Sequence, residues 1–102
     1  MRPFSVTGHP ENGDLRLVVA GDLDITSNVV LRQAIDEAMT TTGGAVHVDV
    51  SQVVFIDSTS LGVLVAEWKR ATAAGRVLRV VGATGLVHKV LSVTGLMETL
   101  AG

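Results

Sequence analysis

A carboxylate and three hydroxyls interrupt an apolar stretch in the middle of the chain. Asp57-Ser58-Thr59-Ser60 follows a β-branched run and comes directly before Leu61-Gly62, where an amphipathic pattern begins. Side chains of Asp, Ser and Thr accept hydrogen bonds from the free N–H groups at a helix start, and the helix dipole favours negative charge there. Two interpretations follow: these residues cap a helix, or the surplus hydroxyls form a site that can carry a phosphate.

A second group of carboxylates, Asp22 and Asp24, follows an earlier strand pattern. Paired carboxylates can bind a divalent cation, but no third oxygen-rich segment accompanies these two. We therefore interpret them as caps or contact residues. His9, His47 and His88 lack the i, i+4 spacing of a helical metal site, so no metal site is predicted.

The motifs of common enzymes are missing from the sequence. There is no Gly-x-Ser-x-Gly elbow, and the alternation around His47 places it on the sheet face opposite the helices, away from Ser58. The two glycine-rich phosphate-loop motifs, Gly-x-x-x-x-Gly-Lys-Ser/Thr and Gly-x-Gly-x-x-Gly, do not occur. The absence of cysteine excludes thiol chemistry. We predict no cofactor and no enzymatic activity; a small hydrolase using Ser58 is the least favoured alternative.

Composition limits the class of protein further. The 102 residues are 47% hydrophobic and 18% charged, which predicts one soluble domain over residues 1–102. A net charge of −2 argues against nucleic acid and acidic membranes as partners. The first 14 residues contain no apolar core of a signal peptide, and no stretch approaches the length of a membrane span. We therefore expect a cytoplasmic location.

Changes in hydrophobic period predict the elements that hold these residues. Alternation predicts strands over 4–7, 15–20, 45–50 and 76–81, and an apolar run over 53–56 leads into the hydroxyls. Apolar residues spaced three and four positions apart predict three helices. The first covers 25–39, the second runs from the hydroxyl residues to Ala74-Gly75, and the third covers 86–93. The cap of the first helix is Asp24, Thr26 or Ser27, and Leu96, Met97 and Leu100 should pack onto the core.

The polar residues of the strands predict the layer architecture. His47 and Asp49 alternate with apolar neighbours, and Arg16 and Arg79 fit the same polar face. Helices should then cover one face only, unlike a doubly wound sheet. We predict a two-layer α/β fold with a mixed four-to-five-stranded sheet, in which only the first hairpin is antiparallel. Trp68 lies on the apolar stripe of the second helix and is expected in the core.

Three segments together resemble the anti-sigma factor antagonist branch of the STAS domain family. They are Gly-Asp-Leu-Asp at 21–24, Val-Phe-Ile-Asp-Ser-Thr-Ser-Leu-Gly at 54–62, and Val-Thr-Gly-Leu at 93–96. The resemblance covers essentially the whole chain. It implies a bacterial switch protein that binds an anti-sigma factor with serine kinase activity and so frees a sigma factor. Phosphorylation would turn binding off, and a metal-dependent serine phosphatase would restore it.

The same resemblance assigns roles to individual residues. The phosphorylated residue is Ser58, directly after the motif aspartate, with Thr59 as the neighbouring alternative. Family members often have Gly where this chain has Ser60, which leaves three candidate hydroxyls. The resemblance implies that Asp57 orients the site and that the loop at 21–24 borders the same surface. The predicted partner-binding residues are Asp22, Asp24, Asp57, Ser58, Thr59, Ser60, Leu61 and Gly62.

Two alternatives remain open from the sequence. STAS-like domains also serve as unphosphorylated adaptor subunits of membrane transport assemblies, where the hydroxyl would only make contacts. A polar sheet face or an exposed first strand could also pair with a second copy, which would give a weak homodimer.

Overall fold

The structure is a computed structural model that describes residues 3–101. Its sheet has four strands in the order β1-β2-β3-β4: β1 (Ser5–Glu11), β2 (Asp14–Leu23), β3 (Val46–Ile56) and β4 (Leu78–Val81). β1 pairs with β2 in antiparallel fashion, and β2–β3 and β3–β4 are parallel. The predicted mixed α/β sheet is confirmed, with four strands.

The first hairpin is longer and tighter than predicted. Asn12 and Gly13 both have positive φ, at 52° and 87°, as a two-residue turn between antiparallel strands requires. The segment over 9–11, predicted as part of the turn, therefore continues β1 up to Glu11. Pro10 is tolerated there because β1 is an edge strand.

The inner strands also extend beyond their predicted ends. β2 continues through Gly21 to Leu23, with register shifts where its pairing with β3 is irregular. β3 is one strand that runs through Ser51 and Gln52, where two separate segments were predicted. The residues before and after Ser51 and Gln52 pair with β2, and this keeps the backbone extended through both residues. The strand preferences of Ser and Gln alone do not indicate it.

Within residues 3–101 the chain forms four helices: α1 (Asn28–Thr41), α2 (Ser58–Ala73), α3 (Gly85–Val93) and α4 (Leu96–Ala101). α1 begins three residues later than predicted, because Asp24 and Ser27 bond locally to the backbone and hold 24–27 in a turn. The last helix was not predicted as an element. Of its predicted core residues, Leu100 is buried, and Leu96 and Met97 are half-buried against the core.

Alternate strand residues are buried under the helices. Leu17, Val19 and Leu23 of β2 and the buried stripes of α1, α2 and α3 form a single cluster. Trp68 packs against this cluster while remaining half-buried. The inward faces are predominantly aliphatic, as expected from a chain with only 3% aromatic residues.

One charged residue lies in this interior against expectation. Glu67 of α2 is only 4% exposed, and its Oε1 accepts a 3.0 Å hydrogen bond from Arg70 Nη1, which also reaches Asp36 Oδ1 of α1 at 3.1 Å. Burial, followed by the neighbouring Asp36 carboxyl, raises the pKa of Glu67 above its ordinary value. The buried side of α2 is therefore not purely apolar.

The opposite face of the sheet carries polar and charged side chains that contact one another. The register aligns Arg16, His47 and Arg79 across three strands, as their alternation predicted. Arg16 Nε lies 3.1 Å from Asp49 Oδ2, and His47 Nε2 lies 3.2 Å from Asp14 Oδ2. Asp49 is only 8% exposed, so this polar face is less open to water than predicted. Among residues 3–101, no helix is long and apolar enough to cross a lipid bilayer.

Candidate functional site

The hydroxyl run and the acidic loop meet at one edge of the sheet. β2 and β3 are parallel, so their carboxyl ends lie side by side, and Asp22 pairs with Phe55 in the register. The backbone N–H of Asp57 donates to the Leu23 carbonyl oxygen across 3.0 Å. Asp22 and Asp24, the neighbours of Leu23, are thereby held beside the start of α2.

Asp57 is the N-cap of α2, in agreement with the capping interpretation of the sequence. Its backbone is extended, and its Oδ1 accepts hydrogen bonds from Ser60 N at 2.9 Å and from Thr59 Oγ1 at 2.7 Å. The bond from the Thr59 hydroxyl, followed by that from Ser60 N, lowers the pKa of Asp57 below its ordinary value. Asp57 is thus held as a carboxylate that orders the first turn.

Asn28, which sequence reasoning missed, joins the first turn of α1 to that of α2. Its Oδ1 accepts a 2.7 Å hydrogen bond from Ser60 Oγ, and its Nδ2 donates to Thr59 Oγ1 at 2.9 Å. Ser60 is completely buried by this contact and by its surroundings. The only sequence signal was a polar residue at a helix start, since the partners lie about 30 positions away.

Ser58 is the member of the run whose hydroxyl is unengaged. Its side chain is exposed, and within residues 3–101 no intramolecular hydrogen bond involves its hydroxyl. Gly62, one turn later, is also exposed, with open space where a side chain would be. Leu61, predicted as a partner-binding residue, lies in the core and packs the first turn of α2 against it.

The acidic loop has its own hydrogen-bond network. Asp24 Oδ1 accepts from the backbone N and the hydroxyl of Thr26. Ser27 Oγ accepts from Asp24 N and lies 3.1 Å from the carbonyl oxygens of Asp22 and Asp24. Ser27 is 3% exposed and is the N-cap position of α1, but its side chain bonds to the loop and not to the helix. The loop is therefore fixed by its own side chains.

Apolar side chains are exposed next to these polar groups. Ile25 is 70% exposed, Val29 is 63% exposed and Val30 is 49% exposed. They lie in the loop and in the first turn of α1, on both sides of Asn28 in the sequence. The loop before α1 and the first turn of α1 therefore present aliphatic side chains to solvent.

The site contains no arrangement suited to a metal ion. Within the part of the chain that the structure describes, no three His, Asp or Glu side chains converge as a metal site would require. Asp22, Asp24 and Asp57 share one edge of the sheet, but the Asp24 and Asp57 carboxylates accept hydrogen bonds from their own loops. The chemistry available is that of an exposed hydroxyl at a helix start.

Comparison with known proteins agrees with this fold. The family model described as "Mlab, STAS domain" matches residues 8–101. Sequence comparison with curated proteins gives no match. The chain belongs to the STAS domain family.

Solved structures with the same fold include an anti-sigma factor antagonist from Mycobacterium paratuberculosis. It is 23% identical with a TM-score of 0.80, over 96% of this chain and 83% of that chain. The Bacillus cell fate determinant SpoIIAA in its phosphorylated form is 16% identical with a TM-score of 0.71, over 98% and 89%. A sulfate transporter family protein from Wolinella succinogenes is 18% identical with a TM-score of 0.75, over 91% and 75%.

Proposed function

We propose that this chain is a bacterial anti-sigma factor antagonist, a protein-binding switch controlled by phosphorylation. In its unphosphorylated form it binds an anti-sigma factor with serine kinase activity. This binding releases the sigma factor that the anti-sigma factor had held. The observation that carries the proposal is the exposed, unengaged hydroxyl of Ser58 at the start of α2. Fold similarity to an anti-sigma factor antagonist and to a phosphorylated relative supports it.

Ser58 is favoured over its two neighbours as the phosphorylated residue. Ser60 Oγ is buried and donates to Asn28, so a kinase could reach it only after local opening. Thr59 Oγ1 is engaged twice, as a donor to Asp57 and as an acceptor from Asn28. Modification of either hydroxyl would require breaking hydrogen bonds that Ser58 does not make.

The partner surface combines negative charge with apolar area. Asp57 directly precedes Ser58, Asp22 and Asp24 lie at the neighbouring strand end, and exposed apolar residues follow in the loop and in α1. We infer a partner with basic and aliphatic groups in complementary positions. Thr59 and Gly62 are exposed on this surface, whereas Ser60 and Leu61 are buried under it and fix the position of the first turn of α2.

Charge explains how phosphorylation would prevent binding. A phosphoserine adds about −1.5 to −2 charges, here directly after Asp57 and at the sheet edge where Asp22 and Asp24 also lie. The dipole of α2 offsets only about 0.3–1 kcal/mol of that cost, and up to about 2 in favourable geometry. Leaving a charged group buried and unpaired in an interface costs about 3–5 kcal/mol. Repulsion and desolvation should therefore outweigh the local gain, without refolding of the domain.

Several further properties belong to this proposal. A serine phosphatase would remove the phosphate and restore binding. The chain itself would act by binding alone, without enzymatic activity or cofactor, in the cytoplasm and without direct contact to nucleic acid.

The proposal is tested by intact-mass measurement of the purified chain after incubation with ATP, Mg²⁺ and each candidate anti-sigma kinase. We expect one added phosphate, mapped to Ser58, and none on Ser58→Ala. Ser58→Asp should lose kinase binding by at least tenfold, while Ser92→Asp, an exposed serine on α3, should bind normally. Full binding by Ser58→Asp would contradict the switch.

A second candidate function is an adaptor subunit of a membrane transport assembly. Fold similarity to a sulfate transporter family protein favours it. In that case affinity capture with the wild-type chain should recover a transport ATPase and no kinase. Ser58→Ala would then behave as wild type, which separates the two functions.

A further inference from the structure

Four side chains at the starts of α1 and α2 form a hydrogen-bond chain with a single direction. Ser60 Oγ donates to Asn28 Oδ1, Asn28 Nδ2 donates to Thr59 Oγ1, and Thr59 Oγ1 donates to Asp57 Oδ1. The three distances are 2.7, 2.9 and 2.7 Å. Each group donates to the next one along the chain, which ends at the Asp57 carboxylate, so the bonds polarise one another in the same sense.

Asn28 completes this chain because its amide presents both an acceptor and a donor. Its Oδ1 satisfies the hydroxyl of the fully buried Ser60, and this fixes the orientation of the amide. The Nδ2 group must then face Thr59 Oγ1. An aliphatic residue at position 28 would leave the Ser60 hydroxyl without this partner and would release a lone pair on Thr59.

That lone pair determines whether Thr59 can compete with Ser58. In phosphorylation the hydroxyl oxygen forms a bond to the γ-phosphorus of ATP, the bond from that phosphorus to ADP breaks, and the hydroxyl proton leaves to a base or to water. Thr59 already donates its proton to the Asp57 carboxylate, a geometry that suits a nucleophile. Asn28 Nδ2, however, occupies the oxygen of Thr59 from the other side.

We propose that Asn28 is a positioning residue that directs phosphorylation to Ser58 by engaging the hydroxyls of both Thr59 and Ser60. This rests on the proposed function, since it names the residue that selects the acceptor within that site. It also explains how a serine is accommodated at position 60, where the hydroxyl would otherwise be buried without a partner.

The kinase-independent half of the test is a double-mutant cycle in urea unfolding. Asn28→Ala should raise the unfolding equilibrium constant about fivefold or more, because it leaves a buried hydroxyl unsatisfied. In the Ser60→Ala background the same change should cost less, which gives a coupling of about fivefold between the two residues. Additive effects would show that the Asn28–Ser60 bond does not exist in solution and would overturn the proposal.

The second half maps the phosphorylated residue with ATP, Mg²⁺ and the kinase that modifies the wild-type chain. Ser60→Ala leaves Asn28 Nδ2 within hydrogen-bond reach of Thr59 Oγ1, so this variant should be phosphorylated on Ser58 alone. The double variant Asn28→Ala with Ser60→Ala removes that bond without leaving a buried hydroxyl unsatisfied. Its phosphate on Thr59, relative to Ser58, should rise about fivefold or more.

The outcomes separate the two proposals. Coupling together with phosphate on Thr59 in the double variant supports the role of Asn28. Ser58 as the sole acceptor in every variant overturns that role while leaving the switch intact. A wild-type chain that no kinase modifies overturns the proposed function and, with it, the selective role of Asn28, even if the cycle shows coupling.

Discussion

The backbone N–H of Asp57 donates to the carbonyl oxygen of Leu23 across 3.0 Å, where two parallel strands end. This bond places the carboxylates of one loop beside the hydroxyls of the next helix. Asn28 of α1 forms hydrogen bonds with Thr59 and Ser60 of α2 at the same edge of the sheet. The site is therefore built from the two segments that follow β2 and β3. Its hydroxyls differ in whether they are hydrogen-bonded, because some of their partners are distant in sequence.

The cap at Asp57 should contribute measurable stability that depends on pH. Asp57→Ala removes the acceptor for Ser60 N and Thr59 Oγ1 and should cost about 1 kcal/mol at pH 7. Asp57→Asn keeps a side-chain oxygen and should cost less. Because hydrogen bonds lower the pKa of Asp57, the stability it contributes is present above the ordinary value of 3.8 and is lost as the pH falls through the folded-state pKa.

Urea unfolding of wild type, Asp57→Ala and Asp57→Asn between pH 2.5 and 7 measures this. The difference between wild type and Asp57→Asn should shrink at the acid end. A difference that does not change with pH would show that the carboxylate charge has no role in the cap.

Glu67 should give the opposite pH dependence. Burial raises its pKa above the ordinary 4.5, so the folded chain holds the proton more tightly than the unfolded chain. Stability is then fully present below pH 4.5 and declines as the pH rises through the folded-state pKa. Arg70 and Arg32 limit this decline, while Asp36 on the facing helix increases it.

The variant Glu67→Gln has no such titration and should gain stability relative to wild type as the pH rises above 4.5. Glu37→Gln, on the exposed side of α1, is the matched control for the loss of one negative charge. Parallel curves for wild type and Glu67→Gln in urea unfolding would contradict a raised pKa.

Among the arginines and lysines of residues 3–101, Arg76 should contribute most to stability. Its Nη1 donates to the Met39 carbonyl at 2.9 Å, and its Nη2 donates to the Thr42 carbonyl at 2.7 Å and the Gly44 carbonyl at 3.2 Å. These oxygens lie at and beyond the end of α1, where carbonyls lack helical partners. Arg76→Ala should cost about 2 kcal/mol or more, and Arg76→Lys should restore only part because an ammonium lacks the planar fork.

Arg79→Ala on β4 is the comparison for Arg76, because Arg79 is exposed. It should change the free energy of unfolding by about 0.5 kcal/mol or less. Equal effects of the two alanine variants in chemical denaturation would show that the carbonyl contacts of Arg76 add nothing.

Two glycines near the site should respond oppositely to alanine. Gly21 has φ of +95°, and a Cβ there would collide with the Pro3 backbone, so Gly21→Ala should cost about 2 kcal/mol or more. Gly62 lies within α2 with open space around it, so Gly62→Ala should stabilise by up to about 1 kcal/mol. Thermal unfolding measures both, and destabilisation by Gly62→Ala would reveal a contact that the fold does not show.

Phosphorylation of Ser58 should leave the fold of the domain unchanged. The hydroxyl is exposed at the first residue of α2, where the helix dipole favours negative charge by about 0.3–1 kcal/mol. Amide NMR shifts of the phosphorylated chain should therefore change only around residues 22–30 and 57–63. Widespread shifts, or a large change in thermal midpoint, would indicate a switch by refolding and not by repulsion.

Much of the fold was predictable from local pattern. The alternation around Val46 to Val50 and the helical spacing of Leu31, Ile35 and Ala38 indicate which faces are buried, because apolar burial follows the period of each element. The start of α1 was wrong by three residues, because the side chains of Asp24 and Ser27 bond to the loop backbone and hold 24–27 in a turn.

Burial of polar groups was harder to predict. Glu67 stands on a helix whose sequence offers no reason to bury a carboxylate, and its partners Asp36 and Arg70 surround it only once α1 and α2 pack. Ser60 is similar: composition identifies a hydroxyl near a helix start, but its complete burial depends on a residue of another helix.

The sequence by itself determined the order of strands and helices, the capping role of Asp57 and the run of hydroxyls, because these depend on neighbours within a few residues. Only the tertiary structure decided which hydroxyl is left free. The two residues that occupy Thr59 are Asp57, two positions away, and Asn28, 31 positions away. The second contact exists only because parallel strands bring the starts of α1 and α2 to the same edge of the sheet.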